Sequence, residues 1–97
     1  MLQPGDKVFI EDSAQIDVGF LSWSFIKENP YATVKERMPT ETTNEREVVY
    51  ALEWDDDFAG GIGCFGACAP HRGQFVTAKH LALDFEASRD VCTVPHI

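Results

Sequence analysis

The stretch from Glu47 to Trp54 shows the most constraining pattern in the chain. Apolar residues occupy every second position of it: Val48, Tyr50, Leu52 and Trp54. Successive side chains of a β-strand point to opposite faces, whereas a helix would scatter these four residues around its circumference. The pattern therefore predicts a strand with one face buried, and it predicts that Leu52 and Trp54 lie in the core.

Other runs rich in β-branched and aromatic residues predict further strands. In the run from Val18 to Ile26, Leu21, Trp23 and Phe25 alternate with Ser22 and Ser24. The predicted strands are Lys7 to Glu11, Val18 to Ile26, Tyr31 to Lys35, Glu47 to Trp54, Gln74 to Thr77 and Leu81 to Glu86. A single turn is predicted at Ala78 to His80, a mobile loop at Met38 to Arg46, and a long glycine-rich loop at Asp55 to Gly73.

Length and composition fit one globular domain. The chain has 97 residues, of which 44% are hydrophobic and 25% charged, enough for a modest core. We therefore expect a single β-barrel domain over residues 1–97, with an irregular C-terminal tail at 87–97. The chain carries no apolar run of membrane-spanning length and no secretory signal pattern at its start, so we expect a soluble, cytoplasmic protein with no membrane partner.

Several of these segments together resemble a known fold. The opening Pro4-Gly5-Asp6-Lys7-Val8-Phe9-Ile10, the Gly19-Phe20-Leu21 segment, the strand ending at Trp54 and the closing Gly73-Gln74-Phe75-Val76 with Leu81-Ala82-Leu83 resemble Src-homology-three-like barrels. Similar small proteins occur among bacterial, phage and mobile-gene-cassette proteins of unknown function. The resemblance implies a mostly β fold, a small and partly open barrel of five to six strands, and a binding module rather than a catalyst.

The net charge of −8 restricts the partners of so small a domain. Nucleic-acid binding depends on Lys and Arg displacing counterions from phosphates, so we expect no direct contact with DNA or RNA. The acidity serves either solubility alone or the recognition of a basic partner.

One candidate site is an acidic, aromatic edge that binds a basic or proline-containing peptide. The expected function is thus a small non-catalytic interaction module, and the sequence favours this over an enzyme. Tyr31 and Phe58 are expected at the surface, whereas the alternation of the strand that ends at Trp54 favours a core position for Trp54. The candidate partner-binding residues are Tyr31, Trp54, Asp55, Asp56, Asp57 and Phe58.

A second candidate site lies in the glycine-rich loop, where Cys64, Cys68 and His71 are spaced as zinc ligands, and Cys92 or His96 would supply a fourth. The alternative function is therefore a zinc-binding or redox protein, with a Cys64–Cys68 disulfide as the redox device. Small buried cysteines also serve as packing groups. In each case we expect Cys64 and Cys68 to face each other or the core.

Self-association is a further expectation. If Lys7 to Ile10 and Tyr31 to Lys35 were barrel edges, their unpaired backbone groups would invite strand pairing. A homodimer is the commonest closed assembly of a small protein.

Overall fold

The computed structural model describes residues 2–84. Five strands and one helix account for its regular structure, together with four short 3-10 turns at Asp12–Ala14, Glu45–Glu47, Cys64–Gly66 and Ala78–His80. The strands and the helix are β1 (Lys7–Ile10), α1 (Gln15–Ile26), β2 (Tyr31–Arg37), β3 (Val49–Glu53), β4 (Gly73–Thr77) and β5 (Leu81–Leu83).

The five strands form one antiparallel sheet in the order β4-β3-β2-β1-β5, and this sheet does not close. The 3-10 turn at Ala78–His80 carries the chain from one edge strand to the other. The predicted one-turn element before the last strand is therefore confirmed. So is the coarse fold class, a small β-rich domain, although it includes one helix.

The face assignment of β3 is confirmed. Val48, Tyr50, Leu52 and Trp54 are all buried, and they belong to the main core cluster together with Val8, Ile10, Val34 and Val76. Ala51 points to the other face, where it packs with Cys64, Cys68 and Phe75. The sheet thus has two covered regions, a main core on the side of α1 and a smaller one beneath the cysteine loop.

The predicted strand at Val18 to Ile26 is wrong, because this segment is helical. The buried positions of α1 are Val18, Ser22 and Ile26, four residues apart, which is the period of a helix face. The helix is interrupted at Gly19, whose φ of 78° lies in the left-handed region that glycine tolerates. It ends at Ile26, and just beyond this end the backbone N–H of Asn29 donates to the Phe25 carbonyl at 3.0 Å.

The remaining boundaries differ in detail. The third predicted strand is confirmed as β2, which extends to Arg37 and carries an irregularity between Val34 and Glu36. β5 ends at Leu83 rather than Glu86, and both Glu86 and the predicted tail at 87–97 lie outside the described residues.

The expectation that Lys7 to Ile10 and Tyr31 to Lys35 are sheet edges is wrong. β1 pairs with both β2 and β5, and β2 pairs with both β1 and β3, so the edge strands are β4 and β5.

Within residues 2–84, α1 is much too short to span a bilayer, and no other helix has the length or the apolar content to do so.

Candidate functional site

The predicted aromatic edge is largely internal. The Trp54 ring is buried and its Nε1 donates to the Asn29 carbonyl at 2.7 Å, so the core interpretation of Trp54 is confirmed. Phe58 is only 8% exposed, and its ring meets Trp54 edge-on and stacks on Phe25 at a centroid distance of 4.7 Å. The expectation that Phe58 lies at the surface is therefore wrong, because these two rings enclose it.

Tyr31 is exposed as expected, but it lies on a different face. Its ring makes an edge-to-face contact with Phe9, the residue opposite it on β1, at 5.4 Å. Both residues alternate with buried positions such as Val8 and Ala32, so they point away from the main core that contains Trp54. The structure does not bring Tyr31 together with Trp54 and Phe58.

The acidic residues of the edge are exposed. Asp57 accepts a hydrogen bond from Arg72 Nε at 2.7 Å, and this contact raises the pKa of Arg72 above its ordinary value. Neither Asp55 nor Asp56 forms a salt bridge with any residue between 2 and 84. Two carboxylates of this loop are thus presented to solvent.

Helix α1 presents an apolar surface that the sequence interpretation missed. Ile16 and Phe20 are 81% and 82% exposed and Leu21 is 66% exposed, although all three are large apolar side chains. We call these three residues the α1 surface. The helical spacing of Val18, Ser22 and Ile26 was the signal that could have revealed it, because it leaves Ile16, Phe20 and Leu21 on the outside.

The α1 surface adjoins the loop that carries the aspartates. The backbone of Gly60 lies so close to Leu21 and Ser22 that a side chain at Gly60 would collide with them. Gln74 Nε2 donates both to Ser22 Oγ at 3.0 Å and to the Gly60 carbonyl at 2.8 Å. Together with the stacking of Phe25 on Phe58, these contacts fix the loop against the helix.

Cys64 and Cys68 are buried and hydrogen-bonded to each other, which confirms that they face each other and the core. The Cys68 thiol also donates to the Leu52 carbonyl at 3.4 Å. Burial raises the pKa of Cys64 to about 12, and the hydrogen bond to Cys68 adds to the increase. Burial likewise raises the pKa of Cys68.

The loop that holds these thiols is strained. Cys64 and Phe65 have φ values of 52° and 56°, a region that residues with a side chain seldom adopt. This conformation leaves the Phe65 ring 94% exposed while it buries the neighbouring Cys64. The loop is therefore held in place by contacts of its thiols with Ala51 and the sheet.

His71 does not join the two cysteines. It is exposed, and its backbone carbonyl accepts from the Phe58 N–H at 3.1 Å. Among residues 2–84, no three His, Cys, Asp or Glu side chains come together in a way that could hold a metal ion. The other ligand candidates, Cys92 and His96, lie outside the described residues.

A polar cluster that the sequence did not reveal surrounds His80. This histidine is buried, its Nδ1 is hydrogen-bonded to Ser13 Oγ at 2.7 Å, and its Nε2 lies 3.7 Å from Asp17 Oδ2. Asp17 also accepts from the backbone N–H of Thr77 at 2.7 Å. The cluster ties the start of α1 to the turn between β4 and β5, which is a structural task.

Comparison with known proteins gives no relative: the chain matches no family model, no curated protein and no solved structure.

Proposed function

We propose that this protein is a small non-catalytic interaction module that binds a basic protein or peptide through the α1 surface and the adjoining aspartate loop. The observation that carries the proposal is the exposure of Ile16, Phe20 and Leu21 on a single helix. Clustered, exposed apolar side chains next to polar residues are typical of protein interaction sites.

The chemistry of the partner follows from the neighbouring charges. Asp55 and Asp56 belong to the loop whose Gly60 contacts Leu21, they form no salt bridge within residues 2–84, and the chain as a whole has a charge of −8. A partner that places an apolar side chain on Phe20 and Lys or Arg side chains on the aspartates would satisfy both features. Charge complementarity of this kind contributes mostly to specificity and to the rate of association.

The buried aromatic residues then have a supporting role. Phe58 joins the loop to α1 through its stacking on Phe25, and Trp54 holds Phe58 from the other side. The two halves of the proposed surface are thus fixed relative to each other before a partner binds, which lowers the entropic cost of association.

We further propose that the fold is a partly open Src-homology-three-like barrel in which α1 occupies the connection between the first two strands. The sheet order β4-β3-β2-β1-β5 and the 3-10 turn between β4 and β5 support this proposal. Barrels of this class bind peptides on their surface, which agrees with the proposed function.

The test is a quantitative affinity capture from the native cell, with parent and variant proteins compared side by side. One variant removes apolar surface (Ile16→Ser with Phe20→Ser), and another removes charge (Asp55→Asn with Asp56→Asn). The matched controls are Phe65→Ser, which changes an equally exposed aromatic residue elsewhere, and Glu36→Gln with Glu41→Gln.

A genuine partner is lost with both test variants, is retained by both control variants, and is released by raised salt. A set of bound proteins that the two test variants leave unchanged contradicts the proposal. Circular dichroism of each variant checks that the fold is retained.

A zinc or redox function is the alternative, favoured by the direct contact between the Cys64 and Cys68 thiols. A zinc site would need ligands beyond the two cysteines, and the candidates are Cys92 and His96. Metal analysis of protein purified without a histidine tag, together with titration of its thiols after unfolding in guanidinium, distinguishes it, since stoichiometric zinc or the loss of two titratable thiols to a disulfide is expected only from this alternative.

A further inference from the structure

The open side of the sheet contains a cavity of about 250 Å³. No residue of α1 lines it, and its apolar wall consists of Leu2, Ala78, Leu81 and Leu83. The pairing of β5 with β1 places Leu83 opposite Val8 and Leu81 opposite Ile10, so both leucines point to the core side. Because β5 has only three residues and the sheet does not close, part of this core side stays accessible.

Polar groups converge on one side of the same cavity. They come from Tyr50 of β3 and from Glu45 and Arg46 in the 3-10 turn before it. Glu45 is already paired, since its Oε1 accepts from Arg37 Nη1 at 2.7 Å, and Arg37 also donates to the Tyr50 hydroxyl at 3.4 Å. The hydrogen bond from Arg37 lowers the pKa of Glu45, so this carboxylate stays ionised and remains paired with Arg37.

Arg46 is the second charged residue of this lining. Its guanidinium forms no ion pair with any residue between 2 and 84, although the protein carries 16 acidic residues. An apolar cavity with a few convergent polar groups and an unpaired guanidinium is suited to an amphipathic anion, because Arg binds carboxylates with two parallel hydrogen bonds. The ionised Glu45 nearby disfavours a second negative charge, such as that of a phosphate monoester.

We propose that this cavity binds a small monocarboxylate with an apolar body, whose alkyl part lies against Leu2, Ala78, Leu81 and Leu83 and whose carboxylate is bound by Arg46. The site is separate from the surface proposed for the protein partner, so either proposal can fail without the other.

The experiment titrates three probes into the 97-residue protein and measures their binding by calorimetry and by NMR of the backbone amides. The probes share one alkyl chain and differ only in the head group: hexanoate, hexan-1-ol and hexylamine. We expect saturable binding of hexanoate, weaker binding of hexanol and the weakest binding of hexylamine. The shifted amide signals should be those of Ala78, Leu81 and Leu83.

The variant Arg46→Gln tests the head group. Because Arg46 is at the surface and partly screened, we expect hexanoate affinity to fall about three- to tenfold, with hexanol binding unchanged. Lys27→Gln is the matched control, since it removes the same charge from an exposed site at the end of α1 and should leave hexanoate affinity unchanged.

Ala78→Leu tests the apolar body and should weaken hexanoate and hexanol alike by filling the cavity. If this variant does not fold, the comparison of Arg46→Gln with Lys27→Gln still tests whether Arg46 binds the carboxylate. N-acetyl-leucine, a mimic of a peptide C-terminus, distinguishes the source of the carboxylate: tighter binding than hexanoate assigns the site to a chain end, and weaker binding assigns it to a free acid.

The proposal is overturned by the absence of saturable hexanoate binding, as would occur if another part of the chain filled the cavity. It is equally overturned if hexylamine binds as tightly as hexanoate, or if Arg46→Gln and Lys27→Gln lose the same amount of hexanoate affinity. Amide shifts confined to α1 would overturn it as well.

Discussion

Asp17 accepts a hydrogen bond from the backbone N–H of Thr77 at 2.7 Å, across 60 residues of sequence. Thr77 belongs to the edge strand β4, and its N–H points away from β3. The carboxylate at the start of α1 therefore satisfies a backbone donor that the sheet itself leaves unpaired. It also lies 3.7 Å from the buried His80 ring, so one side chain connects the helix, the edge strand and the turn that follows it.

Replacing Asp17 by Ala should destabilise the protein by about 1 kcal/mol, because a hydrogen bond from a backbone N–H to a charged acceptor is lost where water can partly replace it. Urea unfolding followed by tryptophan fluorescence measures the change. Asp12→Ala is the control, since Asp12 is also acidic and exposed but makes no such bond with residues 2–84, and its free energy of unfolding should stay close to that of the parent. Equal losses in both variants would contradict the assigned role of Asp17.

The rest of the β4 edge is protected in the same manner. Gly73 exchanges two backbone hydrogen bonds with Ile62, and the Phe75 N–H donates to the side chain of Gln74 at 3.3 Å. Together with the Thr77 contact, these interactions occupy all three outward N–H groups of β4. Open edges invite pairing with other chains, so this edge is ill suited to recognition by strand addition. The arrangement favours recognition through side chains, as proposed for the α1 surface.

The stacking of Phe58 on Phe25 leads to a second prediction. Phe58→Ala should cost about 3 to 5 kcal/mol, because a large ring enclosed by Trp54 and Phe25 would leave a cavity. Phe65→Ala is the matched control: it removes the same group from a position that is 94% exposed, and it should change stability by no more than about 0.5 kcal/mol. Thermal and urea unfolding of both variants measure the difference. Comparable losses would show that Phe58 is not enclosed.

Leu52 provides a test of the main core. Its side chain is fully buried at the centre of β3, so Leu52→Ala should destabilise by about 2 to 5 kcal/mol through lost burial and the cavity left behind. Leu21→Ala removes the same atoms from the exposed α1 surface and should be nearly neutral for stability. Chemical unfolding of the pair is the measurement. A small loss at Leu52 would contradict the described position of β3.

The sequence was sufficient to predict β3 because its pattern has a single physical interpretation. Val48, Tyr50, Leu52 and Trp54 can share a face only in an extended chain, and they do. The same reasoning failed at α1, where Leu21, Trp23 and Phe25 alternate with two serines. Ser22 is buried there, because its hydroxyl accepts a hydrogen bond from Gln74, a residue that no local pattern connects with it.

The candidate site was only partly predictable for a related reason. The exposure of Asp55 to Asp57 and the burial of Cys64 and Cys68 follow from local chemistry, and both were expected. The position of Phe58 depends on rings contributed by Trp54 and by a helix that the sequence analysis interpreted as a strand. The cavity beside Arg46 depends on where the sheet stays open, which is a property of the complete fold.

The buried thiols predict a specific dependence on pH. The pKa of Cys64 is raised from an ordinary value of 9.0 to about 12, so the folded chain retains this proton more tightly than the unfolded chain does. The corresponding stability is fully present below about pH 9 and is lost as the pH rises from 9 towards 12. Urea unfolding between pH 8 and 11 should therefore show a steeper loss for the parent than for a variant with Cys64→Ala and Cys68→Ala.

The reactivity of the same thiols gives an independent measurement. Because burial raises the pKa of Cys64 well above pH 8, very little of it is a thiolate in the folded chain, so alkylation by iodoacetamide should be slow until the protein is unfolded in guanidinium. Peptide mass spectrometry assigns the modified sites and separates Cys64 and Cys68 from Cys92. Rapid alkylation of Cys64 in the folded protein, together with parallel pH profiles for parent and variant, would show that the thiol pair is accessible and that the loop does not pack against Ala51 as described.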